Sequence, residues 1–73
     1  MTTEEIAREI EKRWNVVCVT GLTAFGKDVI SIENCNHKDC DRIGQFAMRN
    51  FPKQVCTYTA CHLFRKGRVN IFC

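Results

Sequence analysis

A chain of 73 residues has material for one thin core, because a domain of this size buries only about 60% of the surface its unfolded chain exposes; one domain over residues 1–73 is expected, with no deep substrate cavity. No apolar run approaches the ~18 residues of a membrane-spanning helix, and residues 1–15 alternate acids, bases and single apolar residues where a secretion signal needs a continuous apolar stretch, so a cytoplasmic, reducing setting follows. The net charge of +3 is segregated, with four bases against six acids in residues 1–37 and seven bases against two acids in residues 38–73, which points to an acidic partner.

Thr2 and Glu5 have the spacing of a capping box, and Ile6, Ala7, Ile10 and Trp14 fall on one helical stripe. This predicts a helix over about residues 3–14, supported on its exposed side by Glu4 with Arg8 and Glu9 with Arg13. The run Val16 to Thr20 and the run Asp28 to Glu33 then predict a β-hairpin closed by a loop from Gly21 to Gly26. Asn36 or Asp39 caps a second helix with Cys40, Ile43, Phe46, Ala47 and Phe51 on its apolar side, stopped by Pro52. Gln54 to Phe64 and Val69 to Cys73 predict a closing hairpin around the turn Arg65-Lys66-Gly67-Arg68. The fold class is α+β in the order α-β-β-α-β-β, with two helices on one face of a four-stranded, mainly antiparallel sheet. That order suits a permuted split β-α-β plait, although a simple meander of two hairpins satisfies the same pattern.

Six cysteines invite a chemical reading. Cys35 and Cys40 share a five-residue step with Cys56 and Cys61, and His37 and His62 lie beside them. Cys35, His37, Cys40 and Cys61 are the candidate zinc ligands, since thiolates and imidazoles are what a tetrahedral zinc site takes. The competing expectation is that no cofactor is held: Cys40 faces the core from the second helix, Cys18, Cys56 or Cys61 fill gaps in the sheet, His37 is an ordinary loop residue, and the thiols are reduced and mostly buried. Cys56 and Cys61, an odd number of residues apart on one strand, point to opposite faces. Cys61 and His62 fail as a nucleophile and base for the same reason, and the four dispersed glycines form no phosphate cradle. Both alternating sets of the third strand are partly apolar, which predicts a partner, or a second copy forming a homodimer, on the open sheet face.

The function expected is therefore a small non-catalytic binding module, an adaptor, regulator or inhibitor of the kind phages and mobile elements encode. It meets an acidic protein surface through Arg49, Lys53, Arg65, Lys66, Arg68 and Tyr58. A zinc-binding or redox-responsive Cys/His protein is the first alternative, and a nucleic-acid-binding protein using the basic half is the second.

Overall fold

The computed structural model describes residues 2–73, and its elements follow the order read from the sequence. Helix α1 (Thr3–Trp14) begins on a closed capping box: the Glu5 amide donates to Thr2 Oγ1 at 3.2 Å and the Thr2 amide donates to Glu5 Oε1 at 3.0 Å. It stops at Asn15, whose amide still donates to the Glu11 carbonyl and whose left-handed backbone (φ 50°) turns the chain out of the helix. Two expected charge pairs are replaced among the described residues. Arg8 meets Glu11 at 3.2 Å and Lys12 meets Glu9 at 3.7 Å, because three-residue neighbours are as reachable as four-residue ones. Arg13 lies instead over the Phe46 ring, 4.5 Å from its centre.

Strands β1 (Cys18–Leu22) and β2 (Asp28–Cys35) form the first hairpin, whose turn is held by Thr23 Oγ1 accepting from the Phe25 and Lys27 amides. Helix α2 (His37–Asn50) follows, then strands β3 (Thr57–His62) and β4 (Gly67–Phe72). The sheet order is β1-β2-β4-β3 with every neighbouring pair antiparallel. Strands β2 and β3 are therefore parallel to each other with β4 inserted between them, so β2-α2-β3 is a split β-α-β unit, and α1 with the extra strand β1 completes a permuted plait. Both helices pack on one face, α1 over β1 and β2 and α2 over β3 and β4. Their buried side chains Ile6, Ile10, Ile43 and Ala47 meet Cys18, Ile30, Ile32, Val69 and Ile71 of the sheet in one core.

Several boundaries move: β1 runs from Cys18 to Leu22 rather than from Val16 to Thr20, and the closing hairpin shifts with consequences for the surface. The third strand begins at Thr57 rather than Gln54, because the Gln54 and Val55 amides turn back to the Phe51 carbonyl and Val55 is buried in the core. Leu63 falls in the turn beyond the strand. The outer face of β3 is thus Thr57, Thr59 and Cys61, all exposed, so the half-apolar second face expected on this strand is not there. Arg68, expected in the turn, belongs to β4, where its guanidinium reaches the Glu33 carboxylate on β2 at 2.9 Å.

Candidate functional site

Three of the four cysteine and histidine candidates, Cys35, His37 and Cys40, lie within one short stretch of chain and the fourth, Cys61, lies on β3, and the fold does not bring them together. Cys35 ends β2 facing the helices, and Cys40 sits one turn into α2; their sulfurs are 2.9 Å apart in the core, the residues 1% and 0% exposed. His37 is not a loop residue but the first residue of α2, exposed, with its ring stacked on that of His62 at 5.1 Å between centres. Cys61 is exposed on β3 and paired with Arg68, on the outer side of the sheet away from the two buried sulfurs. Among the described residues no group of three or more Cys, His, Asp or Glu side chains is close enough to hold a metal ion. The zinc quartet is therefore not assembled, because alternation on β3 carries Cys61 to the opposite face.

Cys40 faces the core from α2 and Cys18 fills a place in the sheet, as expected, but the other cysteines are not mostly buried. Cys18 is buried, but Cys56 and Cys61 are exposed and Cys73 is half-buried, so burial accounts for three of the six. Burial pushes the Cys35 thiol up to about 12, helped by its hydrogen bond with Cys40, and pushes Cys18 up to about 11, helped by the nearby Glu11 carboxylate.

The basic candidates split into two places. Arg65 and Lys66 lie in the β3–β4 turn directly after Leu63 and Phe64, which are 52% and 94% exposed. The Lys66 ammonium donates to Asn36 Oδ1 at 2.9 Å, tying this turn to the start of α2, and Asn36 caps the helix by position, its side chain making no bond to the helix amides. Arg49 lies toward the far end of α2, separated by most of a 14-residue helix from the helix start where Lys66 is tied. There it lines a shallow cleft of about 480 Å³ with Arg13, Arg42, Trp14 and Phe46. Lys53 follows α2 near that end. Tyr58 faces inward beneath α2: its ring lies where a side chain on Gly44 would stand, and its hydroxyl donates to Asp41 at 3.1 Å and accepts from Gln45 at 3.2 Å.

The residue most in need of explanation on this surface is Phe64, which sequence reading placed on a strand. The available signal was its position, an aromatic abutting a turn made of Arg65, Lys66 and Gly67, where strand pairing cannot bury it. The molecule so described is a small α+β sheet-and-helix domain with a basic, aromatic hairpin tip. Comparison of the chain with family models, curated proteins and solved structures found no match.

Proposed function

We propose that the protein is a small, non-catalytic binding module of the cytoplasm that docks an acidic protein surface with its β3–β4 hairpin, acting as an adaptor, regulator or inhibitor. The observation that carries the reading is Phe64, 94% exposed and next to Leu63, Arg65 and Lys66. A fully solvated phenyl ring adds nothing to the stability of the monomer, whereas an aromatic beside arginine is the usual anchor of a protein interface. The Arg65 guanidinium stands 6.0 Å from the centre of the Phe64 ring, and among the described residues it meets no carboxylate. Its charge is free for a partner. The tie from Lys66 to Asn36 fixes one end of the turn, which lowers the ordering cost of binding.

An acidic protein fits better than a nucleic acid. Base stacking needs aromatic rings laid out along a surface, and here Tyr58 is engaged beneath α2, Phe72 is half-buried, and the two exposed rings, Phe25 and Phe64, stand on turns at opposite ends of the sheet. Partner capture from host extract with the native protein and with Phe64→Ser tests the reading. An acidic protein retained by the native chain and lost with Phe64→Ser is expected; retention unaltered by the substitution, or retention only of nucleic acid with a steep loss in salt, contradicts it.

A further inference from the structure

Strand β2 carries an irregularity with a chemical result. Ile30 and Ile32 face the helices, so strict alternation would send Asn34 inward and Cys35 outward. Instead the pairing with β4 runs from Glu33–Arg68 directly to Cys35–Gly67, leaving Asn34 as the extra residue of a β-bulge. Asn34 has a left-handed backbone (φ 59°), a conformation asparagine tolerates better than most residues. The bulge reverses the alternation and turns Cys35 into the core.

Helix α2 supplies the second sulfur. Cys40 lies on the buried side of the helix with Ile43 and Ala47, and its Sγ stands 2.9 Å from that of Cys35 and 3.4 Å from the Asn36 carbonyl. Gly67 supplies the room, since a Cβ there would run into Cys40 Sγ. A bulge, a helix phase and a glycine thus converge on one dithiol, and among the described residues no other pair of sulfurs makes such a contact.

We propose that Cys35 and Cys40 are a reversible redox pair, closing to an intramolecular disulfide that joins the end of β2 to the first turn of α2. The oxidant class is a low-molecular-weight disulfide such as glutathione disulfide. One cysteine thiolate attacks it and releases one glutathione thiolate; the second cysteine sulfur then attacks the mixed disulfide at the protein sulfur and releases the other. The two cysteine protons pass to the released thiolates, and two electrons pass from the protein dithiol to glutathione. Attack needs a thiolate at the surface, and both sulfurs are enclosed with the Cys35 thiol pushed up to about 12. Exchange therefore proceeds through local opening where β2, α2 and the β3–β4 hairpin meet, which makes the pair slow to oxidise and slow to be reduced.

Tryptic cleavage after Lys38 places Cys35 in the peptide Asp28–Lys38 and Cys40 in Asp39–Arg42, so a disulfide holds together two fragments that otherwise separate. The full chain is equilibrated with glutathione and glutathione disulfide over a range of ratios, quenched in acid, alkylated in denaturant and mapped by mass spectrometry. The expected result is the joined pair of peptides at oxidising ratios and both alkylated peptides after dithiothreitol. Recovery of both peptides fully alkylated even in glutathione disulfide alone overturns the proposal, as does linkage of either cysteine to Cys56, Cys61 or Cys73, or a glutathione adduct that persists on Cys35 or Cys40. Cys35→Ser and Cys40→Ser are each expected to abolish the joined species, and the native-chain map stands as the deciding readout if either variant fails to fold.

Discussion

Truncation of Ile43 to Ala tests the account of the core. Ile43 is 0% exposed, projects from the middle of α2 toward the sheet, and belongs to the same cluster as Ile6, Ile71 and Val69. The change removes three carbons from the interior, about 2.4 kcal/mol at ~0.8 kcal/mol per buried methylene. The cavity left behind brings the loss to about 3–4 kcal/mol, within the range of buried Ile truncations. A chain of this length has a total stability of roughly 4–11 kcal/mol at ~0.05–0.15 kcal/mol per residue, so one side chain removes a large part of it. At ~4–8 °C per kcal/mol for a domain of this size, the melting temperature falls by about 12–30 °C. Thermal unfolding followed by circular dichroism reads this directly. A variant melting within two or three degrees of the native protein would mean that the helix packs on the sheet through other residues.

Three further outcomes follow from particular contacts. Gly67→Ala crowds Cys40 Sγ and the Cys61 carbonyl and is expected to cost about 1–3 kcal/mol by overpacking, read as a lower urea midpoint; Gly21→Ala, which meets nothing within 4 Å, serves as the control and leaves the midpoint nearly unchanged. Alkali is expected to destabilise the fold: Cys18 and Cys35 stay neutral to about 11 and 12 when folded and ionise near 9 when unfolded, so the unfolded state loses protons first and stability, fully present below about 9, falls as pH rises through that window. Urea midpoints that hold steady or rise between about pH 8 and 10.5 contradict this, and Cys18→Ala is expected to flatten the slope. Arg68→Glu places two carboxylates across β2 and β4 where an ion pair stood, so it lowers the melting temperature as well as altering charge, and binding experiments on the hairpin therefore leave Arg68 in place.

What the chain disclosed about itself was mostly local. Thr2 with Glu5, the stripe of Ile6, Ala7, Ile10 and Trp14, and the stripe of Cys40, Ile43, Phe46, Ala47 and Phe51 are sequence-near patterns; the capping box forms and the stripes face the core, with Trp14 and Phe46 only half-buried at its edge and Phe51 just past the end of α2. The α-β-β-α-β-β order followed from them, but the insertion of β4 between β2 and β3 depends on pairings such as Ile32 with Val69, residues too far apart in sequence for periodicity to link. The bulge at Asn34 was hidden for another reason. An asparagine after a strand reads as the start of a turn, and only pairing with Gly67 shows that the strand resumes and carries Cys35 inward. Free cysteines are often buried, and of Cys18, Cys56 and Cys61 only Cys18 fills a gap in the sheet, since Cys56 precedes β3 and Cys61 faces out. The basic residues are neighbours on a sequence-based view, but most of the length of α2 separates Arg49 from the helix start, where Lys66 is tied to Asn36.

The most direct test of the proposed function is a calorimetric titration of the captured acidic partner with the double variant Arg65→Glu/Lys66→Glu, beside the native chain and Arg49→Glu. Both hairpin residues are exposed and the variant gives up only the one exposed Lys66–Asn36 hydrogen bond, so it is expected to fold with a melting temperature close to native. Docking through the hairpin predicts a loss of affinity of an order of magnitude or more in the double variant, greatest at low salt, with Arg49→Glu near native. Unchanged affinity in the double variant, with the loss appearing in Arg49→Glu, would place the partner on the helical face and contradict the assignment.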